Sequence, residues 1–224
     1  MKTIALLSKN NEQKSFLPKR KIFVMLGLIC FLLSGCLIKS LHPFYNPSDL
    51  VFRKDILGTY VDQEKGTWQI EQAIKQEFLK PDSPQNHYKI TLVDDKKRKA
   101  SFTGNLFKLD NNYYVDFYPD GGNNDDQIDL YNLHLLGVHT VAKVIIGKNN
   151  IHIKWYNEKW LSELFEQNKI RLAHEKVDNN DAVVLTASTN DLQKFMRKFA
   201  NDPNAFKKSD KEKTDDFEYV LSRK

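Results

Sequence analysis

The chain has 224 residues, with 34 Lys+Arg against 29 Asp+Glu and a formal net charge of +5. Six of those cations and one acid fall in the first 35 residues, so the remainder carries 28 of each sign and is close to neutral. That balance removes any composition-level case for nucleic acid or an anionic membrane surface as partner. Both cysteines, Cys30 and Cys36, sit near the amino terminus, which excludes a disulfide, a thiol catalyst or a cysteine-ligated metal in the body of the chain.

In chain order, the first element is a basic stretch. Lys2 to Lys21 holds six basic side chains against Glu12 and ends in Lys19-Arg20-Lys21, as suits the cytoplasmic side of a translocating segment. Ile22 to Ser34 follows, thirteen residues without a charge. That length matches a signal-peptide core and falls short of the roughly 20 residues a membrane span needs. Leu33-Ser34-Gly35-Cys36 then resembles the lipobox of bacterial lipoproteins. The resemblance implies lipid on Cys36, cleavage before it, and acylation of the new amino terminus. Each buried acyl methylene contributes about 0.8 kcal/mol, so three chains make an effectively permanent anchor. The competing reading is an uncleaved helix extended through Leu37 and Ile38, seventeen apolar or small residues in all. Leu37 stands where an aspartate retains such proteins at the inner membrane, and no acidic run follows Cys36. The sorting rules these positions resemble imply the outer membrane, periplasmic face.

The expected organisation is a signal peptide over 1–35, a lipidated tether over 36–50 and one β-rich domain over 51–224. After processing 189 residues remain, enough for one domain with a sizeable core. In Leu37 to Asp49, Pro43 and Pro47 disfavour regular ladders and suit an extended tether reaching at most roughly 40 Å. Leu41, Phe44 and Tyr45 point instead to a segment docked on the domain, because exposed aromatics are uncommon in linkers.

From Leu50 the apolar period is mostly two, which predicts strands near Ile56 to Val61, Gly66 to Glu71, His87 to Val93 and Lys99 to Leu109. Further strands are predicted near Tyr113 to Tyr118, Ile128 to His134, Val138 to Ile146 and Ile151 to Tyr156. Turn signals such as Asp110-Asn111-Asn112 and Gly147-Lys148-Asn149-Asn150 separate them. Short connections give an antiparallel meander, closing into a lipocalin-like barrel or a strongly curved sheet so that no long edge is exposed. Asn157 caps a helix over Glu158 to Gln167, whose apolar face carries Trp160, Leu161, Leu164 and Phe165. Ala182 to Ala187 reads as a buried strand. Ser188 opens a second helix with the stripe Leu192, Phe195, Met196 and Phe199, expected to pack as core on the barrel, before Asp202-Pro203 stops it. Lys207 to Asp216 is a charged, solvated loop, and Phe217 to Leu221 a last strand.

Ser40-Leu41-His42-Pro43-Phe44-Tyr45, Asp49-Leu50-Val51-Phe52, Ile56-Leu57-Gly58-Thr59-Tyr60-Val61 with Trp68, and His134 to Thr140 resemble a group of uncharacterised lipoproteins of the Bacteroidota. Leu172-Ala173-His174-Glu175 and Leu185-Thr186-Ala187 are similar to the same group, which brings no known activity. Leu57-Gly58-Thr59-Tyr60 also resembles the Gly-x-Trp opening strand of lipocalin-type barrels, with Tyr60 in place of the tryptophan. That likeness implies a barrel holding a small apolar ligand.

Two classes of function follow. In one, Tyr60, Trp68, Tyr88, Phe102, Tyr114 and Trp155 line a barrel interior that binds a small apolar or amphipathic ligand. In the other, those aromatics fill a core, and the domain is a non-enzymatic envelope scaffold that contacts another protein. No enzyme, cofactor or metal is expected. His134 and His139 fall on opposite faces of a continuous strand unless Gly137 introduces a bulge. Asp120 to Asp129 does not follow the calcium-loop pattern and reads as an acidic hairpin loop. The side chains of His174-Glu175 diverge, and neither has an identifiable catalytic partner.

Overall fold

The computed structural model describes residues 37–73, 87–120, 135–177, 182–206 and 218–224. A two-residue strand, β1 (Lys39–Ser40), comes first, followed by a run of seven: β2 (Gly58–Val61), β3 (Thr67–Gln72), β4 (Tyr88–Val93), β5 (Lys99–Leu109), β6 (Asn112–Pro119), β7 (His139–Ile146) and β8 (Asn150–Trp155). Helix α1 (Glu158–Glu166), strands β9 (His174–Val177) and β10 (Ala182–Leu185) and helix α2 (Thr189–Phe199) form an insert before the last strand, β11 (Glu218–Arg223). Each strand from β2 to β8 pairs antiparallel with the next, β8 pairs with β11, and β11 pairs with β2. The result is a closed eight-stranded barrel, which leaves none of these strands as a free edge.

Local chemistry sets the turns. Asp62 Oδ1 accepts from the Glu64 and Gly66 N–H groups while its Oδ2 accepts from Trp68 Nε1, fixing the β2–β3 turn to the core. Asp94 closes the β4–β5 turn in the same way on Lys96 and Arg98, with Lys97 at φ 66°. Asp110 and Asn111 make a two-residue hairpin loop between Leu109 and Asn112, the tight connection their residue types favour.

The seam between β2 and β11 has only two backbone pairs, Val61 with Ser222 and Tyr60 with Arg223. Side chains complete it. The Gln63 amide donates to Glu218 O at 2.7 Å and accepts from Val220 N at 2.9 Å, standing in for two ladder bonds. Arg223 donates to Leu57 O at 2.8 Å and to the Tyr60 hydroxyl at 2.6 Å, with its guanidinium carbon 4.9 Å from the Tyr60 ring centre. Gly58, at φ +146°, makes room for it: a Cβ there would lie 2.6 Å from Arg223 Nη1.

Alternation sorts the strand residues into two cores. Tyr60, Trp68, Ile70, Tyr88, Ile90, Leu106, Val115, Phe117, Val144, Ile153, Trp155 and Leu221 share the barrel interior. Phe107, Leu109, Tyr114 and Val141 belong to a second core on the outside, with Trp160, Leu161 and Leu164 of α1 and Leu192, Phe195 and Met196 of α2. A sheet extension frames this outer core: β1 continues from β7 antiparallel, β10 lies parallel to β1, and β9 closes the edge antiparallel to β10. Asn157 and Ser188 cap the helices as expected, accepting from Trp160 N and Asp191 N.

The barrel, its strands within the described residues and both helices thus follow from the sequence, with two differences. The segment after residue 36 is docked, as its aromatics suggested, but it also includes a strand, β1, because the prolines at 43 and 47 lie beyond its two paired residues and leave Lys39 and Ser40 free to ladder. His174-Glu175 lies in a strand, β9, whose exposed face hid it among polar residues. The strand expected at Ile128 to His134, the loop at Lys207 to Asp216, and residues 1–36 lie outside the described residues.

Candidate functional site

Five of the six aromatics expected to line the barrel do so. Tyr60, Trp68, Tyr88 and Trp155 are buried in the interior, and Phe102 packs against them. Tyr114 is the exception: it follows Tyr113 and precedes Val115, whose parity is inward, so its own side chain points out and stacks on Phe107 at 5.6 Å. The inward rings interlock, with Phe117 4.9 Å from Trp155 and edge-on to Phe102 at 6.0 Å. The cavity left among them measures about 20 Å³ and has an entirely apolar wall. A ligand site of drug size needs roughly 300 Å³ or more. That space is comparable with the volume one water occupies.

Outside the barrel, a buried carboxylate ties the amino-terminal segment to the sheet. Asp116 of β6 is 0 % exposed and accepts from the Phe44 N–H at 3.0 Å and from His139 Nδ1 at 2.8 Å. Tyr118 packs over the imidazole with ring centres 4.7 Å apart. Burying a charge in this way requires partners on most of its lone pairs, and here they come from the segment before β2 and from β7. Ser40 lies opposite His139 in the β1–β7 register, but its fully buried hydroxyl accepts from the His42 N–H at 3.1 Å. The bonds of Asp116 to Phe44 and His139 therefore form a latch that holds the amino-terminal segment on β6 and β7. Beside them Tyr45 has its phenol pushed up to about 12, first by burial and then by the charge of Asp116.

The latch draws α2 in as well. Thr189 Oγ1 donates to Pro43 O at 2.8 Å, and Gln193 Nε2 donates to Phe44 O at 3.3 Å and to Asp49 Oδ2 at 2.6 Å. Burial of Phe44 completes the arrangement: its side chain is 0 % exposed within the outer core. Lys143, on the outer face of β7, donates to Ala200 O at 2.7 Å at the other end of the helix. Its ammonium pKa is lowered by burial and by the neighbouring Lys154.

An open depression lies along α2, where a groove of about 220 Å³ runs between the helix and the segment from Lys169 to Leu172. Phe195, Phe199, Ile170 and Leu172 floor it; Lys169, Arg171, Lys194, Lys198 and Asp191 form the rim. Sequence reading singled out neither this groove nor Asp116. A carboxylate inside the run Tyr113-Tyr114-Val115-Asp116-Phe117 was the available signal for the latch. Nothing local announces the groove, whose two walls are about 20 residues apart in the chain.

Among the described residues no three His, Cys, Asp or Glu side chains are grouped to hold a metal ion. His134 and all of the Asp120 to Asp129 loop beyond Asp120 lie outside the described residues. His174 Nδ1 bonds to Leu172 O at 2.9 Å, and its ring stacks on Phe165 at 3.8 Å. Comparison with known proteins finds no matching family model, no matching curated protein and no matching solved structure.

Proposed function

We propose that the protein is held by lipid on Cys36 at the periplasmic face of the outer membrane and acts there as a non-enzymatic interaction module, working through the outside of its barrel. The observation that carries this reading is the filled interior: about 20 Å³ remains where a ligand carrier keeps hundreds. Aromatic rings meet inside the barrel, and Arg223 with Tyr60 closes over the β2–β11 seam. The outer face, by contrast, is elaborated with a sheet extension, two helices and a groove.

Leu37, the residue after Cys36, already pairs with Asn157 at the start of α1. A free thirteen-residue tether would reach at most roughly 40 Å; a docked one brings the domain up against the bilayer. Native mass spectrometry of residues 37–224 incubated with an envelope extract and repurified tests the reading. The expected result is the bare polypeptide mass. A stoichiometric lipid or other apolar ligand would favour a carrier instead. The anchor is tested separately: Cys36→Ser should abolish fatty-acid labelling and leave the precursor uncleaved, and normal cleavage and acylation of that variant would remove the anchor from the proposal.

A further inference from the structure

From the groove along α2 we infer a docking site for an extended acidic peptide of a protein partner, one that carries an apolar side chain between carboxylates. The inference rests on the interaction-module reading above and names the surface and the partner chemistry it uses. Charge complementarity is the first argument. The chain from residue 36 onward balances 28 cations with 28 acids, yet four cations meet one carboxylate at this rim. That carboxylate, Asp191, is already engaged by Lys194 at 2.9 Å and by the Ser188 hydroxyl. Lys169 and Arg171 have no ion-pair partner among the described residues, and both are exposed. The rim therefore presents an uncompensated positive field to solvent.

Dimensions make the second argument. At about 220 Å³ the groove is below the size of a small-molecule site, and its floor of Phe195, Phe199 and Ile170 suits one inserted apolar side chain. From Asp191 to Phe199 the helix rises roughly 12 Å, which about four residues of extended chain cover. Acids on either side of the apolar residue then fall over the cationic rim.

Position decides between a protein and lipid headgroups. Lys39 of β1 is level with Val184 of β10, and the Thr186 N–H bonds to Ala173 O, so Leu37 and Leu172 stand about five residues apart along the sheet. At about 3.3 Å per residue this separates them by roughly 16 Å, with Leu172 at the end opposite the residue that follows Cys36. The groove thus stands off from the anchored end, where a protein in the periplasm can reach it.

Among the described residues the barrel and outer core are built from residue 37 onward, and the chain from Gly35 to Lys224 is one compact unit. The test therefore uses the soluble domain, 37–224, whatever the fate of the anchor. Fluorescence anisotropy of a labelled peptide, Glu-Asp-Leu-Glu-Phe-Asp, is measured against its counterpart with lysine at every acid. The acidic peptide should bind, weaken on going from about 0.05 to about 0.5 M salt, and lose about tenfold in affinity in Arg171→Glu and Lys194→Glu. Lys89→Glu, in β4 and outside the groove lining, should leave it unchanged, and matching melting curves should show all three variants folded. No binding to a folded domain overturns the inference, as does an equal loss in Lys89→Glu. So does failure of the peptide where phosphatidylglycerol vesicles bind and are lost in Arg171→Glu, since the surface would then be a lipid contact.

Discussion

Replacing Asp116 with alanine removes the acceptor that joins the amino-terminal segment, β6 and β7. Two bonds go at once, from the Phe44 N–H at 3.0 Å and from His139 Nδ1 at 2.8 Å. The Phe44 amide is then left in a buried site, at a cost of about 1–3 kcal/mol for an orphaned donor. The imidazole fares better, because the His139 side chain keeps 15 % of its exposure and can turn a nitrogen to water. Together the loss should be about 2–4 kcal/mol, a large part of the roughly 5–15 kcal/mol that holds a domain folded. Asp116→Asn retains one carbonyl acceptor and should lose about half as much. Urea unfolding of residues 37–224 measures both variants, and amide exchange at Phe44 reports the latch directly. A double-mutant cycle with His139→Ala should give a coupling above about 0.5 kcal/mol. If Asp116→Ala stayed within about 0.5 kcal/mol of the parent and Phe44 exchanged at its original rate, the carboxylate would not be what holds the segment down.

Arg223→Ala should lower stability by about 1–3 kcal/mol, because the two-pair β2–β11 seam loses its bonds to Leu57 O and the Tyr60 hydroxyl; an unchanged melting temperature would mean that the backbone pairs and Gln63 suffice. Phe195→Ala should cost about 3–5 kcal/mol, since its ring meets Tyr156, Trp160 and Phe199 in the outer core. Lys198→Ala, on the exposed side of α2, should shift stability by less than about 0.5 kcal/mol, so similar melting curves for the two variants would argue against a packed stripe. Burial raises the phenol pKa of Tyr45, Tyr60, Tyr88, Tyr114, Tyr156 and Tyr219 above the ordinary 10.0. A raised folded-state pKa contributes stability that is full below pH 10 and is lost as pH climbs from about 10 toward 12, because the unfolded chain ionises first. Thermal melts at about pH 9 and about pH 11 should show that fall, while absorbance at about 295 nm should show these six tyrosines titrating only as the domain unfolds; their early titration would place the rings in solvent.

Two physical limits explain which parts of this molecule were legible in its sequence. Periodicity located the barrel strands because each presents several residues to one buried face, and the same holds for the stripes of α1 and α2. β1 has two residues, too few for a period to show, and is held by β7 and β10, remote in the chain; β9 pairs with the next strand, β10, but three of its four residues are exposed, so no buried face marks it. Alternation also fails where both faces of a strand are covered. In β5, Leu106 points inward and Phe107 outward, and both are fully buried; in β6, Tyr114, Val115, Asp116 and Phe117 are buried without interruption. A solvated antiparallel strand would interleave polar residues there. The unbroken run in β6 was therefore evidence that a second layer covers the barrel at this point. It also orders the residues within the run: with Val115 and Phe117 inward, Tyr114 and Asp116 must face that second layer. An aromatic residue in a barrel strand is evidence for interior lining only when its parity agrees with the inward set, and a carboxylate of the opposite parity in such a run must find its partners in the layer that covers it. The Phe44 N–H and His139 supply them here.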